Sequence, residues 1–571
     1  MRRSWAVLVA GLALAAFLPA APGRATGDHP SIGITPATLA TIRDRIASDP
    51  VVGDWMAGVR DDAEAYLAGG SACSGFDSES DISWAAMTMA FVMAVDDDAR
   101  FAGSVASLLA CPGFYSGDDR DTFGWGWGGD LLRYGFAYDW AEPYLDSAQD
   151  SAARTAMLDS MGITMTAFER PPTTGSDPLK YYTNVRMRVG AGMGVAAMAL
   201  RDDAGAAGWL DYVIEDLFGD AHEVPYYLNI VLTPDGTYNE GPSYQNDSFN
   251  AFLPFLLAYR DLTGIDLTGE YGTPGTGVWS DGRVRRMFST NLCMMTPERL
   301  PPTIDTGWRY GVDYHELIIP LLAEPERSET QWFWEEAVGG PGITIAAILW
   351  ADPTVAASAP PWTSCRTSDY AVLRSGWGEE DIFVMVQSDH LPARSSHVQP
   401  DQTSFLMFAE GQYVLIDPGD GRDYGGSAPE HAWLRYNPSC HNLVVVDGRE
   451  APGFGSGDTT PARVHSNTDV IDAAGQEAFF LSDLRCLSEA DRRSRADKLR
   501  RRRRRSCREL DPRLRGSPSL RGPGAGGGNP HRGHAVDLLG LGHVADDERR
   551  GAGHRPRGRV LPPTRVHHGG G

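Results

Sequence analysis

Tyr370-Ala371-Val372-Leu373-Arg374-Ser375 and Ile382-Phe383-Val384-Met385-Val386-Gln387 are short apolar runs closed by turn residues. Three more follow: Ser404–Ala409, Tyr413–Ile416 and Leu443–Val446. Their length and β-branched or aromatic content predict strands. Consecutive apolar residues from Phe405 to Phe408 suggest a sheet covered on both faces. The stretch from Tyr370 to Gly448 therefore reads as an antiparallel β-domain, and the texture switches to it near Pro360-Pro361.

Upstream, from Thr35 to about Trp350, the signal is helical. Thr35-Pro36 with Leu39, Ile42 and Ile46 reads as a capped helix with proline in its first turn. Helical stretches follow at Val51–Leu67, Ser83–Val95, Asp130–Trp140, Ala152–Phe168, Arg186–Leu200, Phe249–Leu262 and Val284–Met295. No strict repeat period is visible, so successive helical hairpins curling into a toroid and an irregular bundle both fit. The expected architecture is α+β and multidomain: residues 28–355 helical, residues 365–484 an antiparallel β-sandwich.

Both ends differ from this body. Arg2 and Arg3 precede the apolar run Ala6 to Leu18, with small residues after it, which is the pattern of a signal peptide over residues 1–27. No later run is long and apolar enough to span a bilayer, so an exported, secreted protein is expected. From Arg485 onward there are 22 Lys+Arg against 9 Asp+Glu, a net of +13, which leaves residues 1–484 at −37. So acidic a body has no general basic field for nucleic acid, and a polyanion would need a local cluster of arginines. In residues 485–571, six arginines run from Arg500 to Arg505, and no helical or strand period follows. A basic disordered tail is one reading. An out-of-frame translation of a GC-rich gene is the other, favoured because the strand pattern stops in mid-domain at Phe479–Leu484, leaving the sandwich truncated.

The chain has seven cysteines and no CxxC pattern. Cys73 and Cys111 sit in similar Ala-Cys-x-Gly-Phe settings and can bridge in an oxidising compartment, or remain two buried thiols.

Four stretches hold polar residues that packing does not demand. Asn184 lies in Tyr181–Arg188 at the mouth of a helix, where an Asn is commonly a cap. Asp235–Tyr244 is a glycine-punctuated loop with a carboxylate, Glu240, and a phenol, Tyr244, feeding a helix. His397, Gln399 and Asp401 enter a strand, and Asp417, Tyr424, Arg435 and His441-Asn442 follow. Two histidines and an aspartate at strand ends of one sheet can converge on a metal.

The order Asn184, Glu240-Gly241-Pro242-Ser243-Tyr244, His397 with Asp401 and Phe405, Asp417-Pro418-Gly419, then His441-Asn442 with Asp447-Gly448 resembles the heparinase II/III family. His29-Pro30 with Ile34-Thr35-Pro36, and Ala137-Tyr138-Asp139-Trp140, are similar to that family too. The resemblance runs from about His29 to Leu484. It implies an (α/α) toroid followed by a β-sandwich, and cleavage of uronic-acid polysaccharides by β-elimination. That chemistry needs a group to neutralise the uronate carboxylate, a base for the C5 proton and an acid for the departing O4. The resemblance gives these roles to Asn184, to Tyr244 as acid or as acid and base, and to His397 as base or its partner, with Tyr424 as a second cleft tyrosine. Arg186, Arg188, Arg394 and Arg435 would supply positive charge, Arg188, Glu240 and Arg435 lining the substrate site.

The family's metal site implies one structural divalent ion, zinc, on Asp417, His441 and the residue at Gln399. An amide oxygen there is a poorer zinc ligand than imidazole. A second departure is Val185, where many members have a histidine after the Asn. No organic cofactor is expected. The alternatives are a catalytically impaired carbohydrate-binding relative, or a glycoside hydrolase on the same helical scaffold using Glu240 and Asp305.

Overall fold

The computed structural model describes residues 29–70, 73–76, 78–111, 127–168, 184–219, 227–238, 240–298, 314–337, 339–342, 344–367, 370–387, 404–417, 440–442, 463–473 and 477–487. The chain divides into two compact units, Met1–Ser494 and Arg495–Gly571. The second unit and the expected signal peptide lie outside the described residues.

The first unit is mostly helical. In chain order it contains α1 Pro36–Ser48, α2 Pro50–Gly69, α3 Glu79–Asp96, α4 Ala102–Leu109 and α5 Trp127–Ala141. These are followed by α6 Ser147–Phe168, α7 Asn184–Ala199, α8 Ala204–Phe218, α9 Tyr227–Val231 and α10 Gly241–Thr263. The last four are α11 Arg283–Met294, α12 His315–Ile318, α13 Glu326–Ala337 and α14 Thr344–Trp350. The start of α1 is as expected: Thr35 caps the Thr38 N–H at 3.0 Å, and Pro36 occupies the first turn.

Four helices, α3, α5, α7 and α10, lie side by side and run the same way. Between α3 and α5, Ser83 meets Asp130 at 2.8 Å near the start, and Phe91 meets Trp140 at 5.3 Å near the end. Between α5 and α7, Gly128 packs on the Arg188 carbonyl and Gly135 on Ala196. Between α7 and α10, the starts meet at Asn184 and Glu240, and further along Gly194 lies under the Phe255 ring. Parallel neighbours require the intervening segments to return the chain to the same end.

Glycine makes this approach possible. A Cβ on Gly128 would lie 2.2 Å from the Arg188 carbonyl oxygen, and one on Gly192 only 2.1 Å from that of Gly128. In α7 every residue except Val185 is buried, which fits its run of Gly, Ala, Val and Met. All four helix starts therefore lie at one end of this layer.

The sheet follows. Strands β3 Ser364–Arg366, β4 Tyr370–Arg374, β5 Phe383–Gln387, β6 Phe405–Ala409 and β7 Gln412–Leu415 form an antiparallel meander in chain order. Four of the five expected strands are these; the fifth, Leu443–Val446, lies outside the described residues. Burial alternates along the sheet. Leu406 and Phe408 are buried with Tyr370, Val372, Phe383 and Met385 against Cys293 and Met294 of α11, whereas Phe405 and Met407 are half-buried. The run that suggested equal cover on both faces thus has one fully buried face. A separate hairpin pairs Arg463–Ala473 with Glu477–Leu487.

Two devices fix the sheet to the helices. The disulfide Cys293–Cys365 joins the end of α11 to β3. The Arg374 guanidinium, buried in β4, donates to the carbonyls of Met295 at 2.9 Å and Cys293 at 2.6 Å and stacks 3.6 Å from the Trp377 ring centroid. A second disulfide, Cys73–Cys111, closes the bridging alternative for that pair.

Candidate functional site

The common end of α3, α5, α7 and α10 gathers the helical half of the site. Asn184 is the first residue of α7 and 4% exposed. Its backbone N–H donates to Glu240 Oε2 at 2.6 Å. Its side-chain Nδ2 is buried and makes no hydrogen bond among the described residues. A buried donor left without an acceptor costs on the order of 1–3 kcal/mol, so an unsatisfied one marks a place where a ligand can bond.

Glu240 ends the loop before α10 and is 1% exposed. The Tyr238 hydroxyl lies 3.4 Å from its Oε2 and 2.9 Å from Ser248 Oγ. Burial pushes the Glu240 carboxyl up to about 7, against the opposing pull of the Asn184 N–H and the Tyr238 hydroxyl. Glu240, expected to line the substrate site, accepts the Asn184 N–H. Gly241 then takes φ +76°, a turn open to glycine at little cost, and α10 starts. Tyr244 follows within its first turn, partly buried against the helical core.

Arg188 is one turn after Asn184, on the same side of α7. It is 8% exposed, and burial lowers its pKa, with Asp247, Arg133, Tyr314 and Asp130 as its charged or titratable neighbours. Its Nη2 would be 3.0 Å from a Cβ on Gly129, and Nη1 of Arg133 3.2 Å from the same point. Two guanidinium groups therefore converge beside Gly129. A cavity of about 100 Å³ opens next to them, with Trp84, Arg133, Asn250 and Tyr314 in its lining and Trp140 and Trp350 further along the helices. Arg186 does not join this group. It forms a buried pair with Asp216 at 2.5 Å and lies 4.0 Å over the Phe168 ring.

In the sheet half, Asp417 and His441 lie together, 3% and 6% exposed. His441 Nδ1 is 3.0 Å from Asp417 Oδ2, which also accepts the Ser404 hydroxyl at 2.8 Å. The Asn442 amide donates to the Phe405 and Ile416 carbonyls at 3.0 and 2.9 Å, pinning this segment to β6 and to the end of β7. The 3.0 Å contact is the spacing of an ordinary hydrogen bond or ion pair. Among the described residues no group of three His, Cys, Asp or Glu that could hold a metal ion occurs. His397, Gln399, Tyr424, Arg394, Arg435 and Asp305 lie outside the described residues.

Sequence reasoning missed the bond from Glu240 to Asn184, the Arg374 staple and the Cys293–Cys365 bridge. None of the three had a local signal: with Cys73 and Cys111 removed, the body keeps three cysteines, Cys293, Cys365 and Cys440, and nothing in their settings pairs two of them.

Residues 358–535 match the family model "Heparinase II/III-like, C-terminal", which shows the resemblance read from the sequence for this part of the chain. The match begins just before β3 and extends past Leu484 through the arginine run. Three solved structures are similar. The heparinase III BT4657 gene product is 16% identical, with 70% of this chain and 58% of that one covered and a TM-score of 0.43. A crystal structure of heparinase III is 14% identical, with 68% and 56% covered and a TM-score of 0.43. The heparan sulfate lyase HepC from Pedobacter heparinus is 13% identical, with 80% and 75% covered and a TM-score of 0.40. The chain spans less than three fifths of the length of the heparinase III structures. No curated protein matches the chain. No helix among the described residues is long and apolar enough to cross a membrane.

Proposed function

We propose that this protein is a secreted polysaccharide lyase that cleaves a uronic-acid polysaccharide by β-elimination. The observation that carries this reading is the buried Asn184 amide, whose Nδ2 has no acceptor among the described residues, at the common end of the helix layer. A uronate carboxylate supplies the missing acceptor. Bonded there, its negative charge is partly withdrawn and the C5 proton becomes more acidic. Tyr244, on the adjacent helix start, gives its proton to the departing O4 or also takes the C5 proton. His397 and Tyr424 complete the set from the sheet side, and Arg188 and Arg435 attract the anionic chain. The helices close into an (α/α) toroid on this reading, with the β-sandwich beside it.

One structural divalent ion, zinc, would be held by Asp417 and His441 with Gln399 as third ligand, and would stiffen the sheet edge without entering the reaction. Metal analysis of the purified protein tests this. Metal near one equivalent supports the site, and none removes it.

The lyase reading is tested by incubating uronate polymers with the protein and following the ultraviolet absorbance of the new C4=C5 double bond. Tyr244→Phe should cut the rate by about 10²–10⁴-fold, the usual scale of a lost general acid or base, without altering the fold. Equal rates in wild type and variant would remove Tyr244 from the mechanism. Val185, half-buried after Asn184, favours one second reading, a carbohydrate-binding relative without catalysis. Binding without product formation identifies it.

A further inference from the structure

Glu240 has no ordinary reason to be where it is. It stands at the N-cap position of α10 yet makes no capping bond to that helix. Its carboxylate reaches across to α7 and accepts the N–H of that helix's first residue at 2.6 Å. The first four N–H groups of a helix have no partner inside it, and a carboxylate there also meets the positive end of the helix dipole. Glu240 thus caps a helix other than its own. Four residues later its own helix carries Tyr244, and the helix it caps begins with Asn184.

We propose that Glu240 is a positioning residue that sets the Asn184 amide against the Tyr244 hydroxyl, and that it does so fully only as the carboxylate. This rests on the lyase reading of those two groups. The ionised form holds the Asn184 N–H by a charge-assisted bond, roughly twice as strong as the bond to a neutral acid. When the proton is on, α7 can fray at its first residue, and the amide moves relative to the phenol.

Several groups among the described residues face the carboxylate. Tyr238 donates from the preceding loop, Asp247 repels from α10, and Tyr227 lies nearby on α9. Arg186 of α7 and Asp216 of α8 lie beyond Tyr227 and pair with each other. Burial dominates, and it brings the carboxyl to about 7, inside the neutral range.

The test compares wild type, Glu240→Gln and Glu240→Ala in the full chain. In wild type kcat should rise with pH along a limb centred near 7. Glu240→Gln keeps an acceptor oxygen but cannot ionise, so that limb should vanish. Glu240→Ala should lose about 100-fold in kcat, the scale of a misplaced reacting group, more than it changes KM. Hydrogen exchange of a peptide covering residues 184–190 gives a readout that needs no activity. Its protection should increase with pH through about 7 in wild type, stay flat in Glu240→Gln and fall in Glu240→Ala. A limb or a protection change that persists in Glu240→Gln overturns the proposal. So does protection in wild type that does not vary with pH. If wild type forms no unsaturated product, the lyase reading fails alone, and the exchange data still decide whether Glu240 caps Asn184.

Discussion

Glu240 at the helix starts and Arg374 at the helix–sheet joint are both buried charges held by neutral groups, and the contrast between them separates a functional residue from a structural one. Glu240 accepts from a backbone N–H and a tyrosine hydroxyl; Arg374 donates to two backbone carbonyls and stacks on Trp377. Burial disfavours the charge in each case, raising the carboxyl to about 7 and lowering the guanidinium to about 9. The same force has opposite consequences, because one value falls within the neutral range and the other stays above it. Glu240 changes charge under ordinary conditions and can report or regulate. Arg374 remains a cation and acts as a fixed bolt.

Replacing Arg374 should give the largest effect. Arg374→Met leaves the Cys293 and Met295 carbonyls buried without a donor and removes the stacking on Trp377. With ~1–3 kcal/mol for each unsatisfied group, the loss should be about 3–4 kcal/mol in denaturant unfolding, equal at pH 6 and pH 8. Arg374→Lys keeps the charge but not the fork that reaches two carbonyls, so it should recover only part of the loss. A pH-dependent loss would contradict the view of Arg374 as a constant cation.

Glu240→Gln should sharpen the other side of the comparison. The carboxyl is raised in the folded chain from its usual 4.5 to about 7, so the folded state holds the proton more tightly than the unfolded state. Wild-type stability therefore falls as pH rises from about 4.5 to about 7 and is level above that. Relative to wild type, Glu240→Gln should gain stability across this window, by at most about 3 kcal/mol at 1.36 kcal/mol per pH unit. Parallel stability curves for the two proteins would show that Glu240 does not titrate there. Such a cost, retained at the one end where four helix starts meet, is what a site tuned for function and not for stability would carry.

Much of the fold was legible because its signals are local. The Thr35-Pro36 cap, the apolar strands from Tyr370 to Leu415 and the paired settings of Cys73 and Cys111 each depend on residues close in sequence or on repeated texture. The resemblance also selected Asn184, Tyr244, Asp417 and His441, and the last two do meet. What escaped depends on how distant elements align. Glu240 reaches Asn184 only because Gly128, Gly192 and Gly194 let three helices approach closely enough to bring their starts level. Arg186, two residues from Asn184 and expected to supply positive charge, pairs instead with Asp216. Arg374 looked like a polar residue at a strand end, and nothing adjacent in sequence reveals that its partners are carbonyls at the end of α11.

The smallest effect should come from Tyr238, which stands between Glu240 and the body of α10. Its hydroxyl is 3.4 Å from the carboxylate, too long for a strong bond, and 2.9 Å from Ser248 Oγ. Tyr238→Phe should cost about 1 kcal/mol, the ordinary net value of one hydrogen bond. The hydroxyl also favours the ionised carboxylate, so its removal should move the Glu240 titration upward in pH. Read as protection of the 184–190 peptide, the midpoint should shift upward while the amplitude stays, since the Asn184 N–H still has its acceptor. A loss of amplitude would assign the cap to Tyr238 and Glu240 jointly. An unmoved midpoint would leave the Asn184 N–H as the group that tunes the carboxylate against burial, and would narrow the contrast with Arg374 to a single backbone bond.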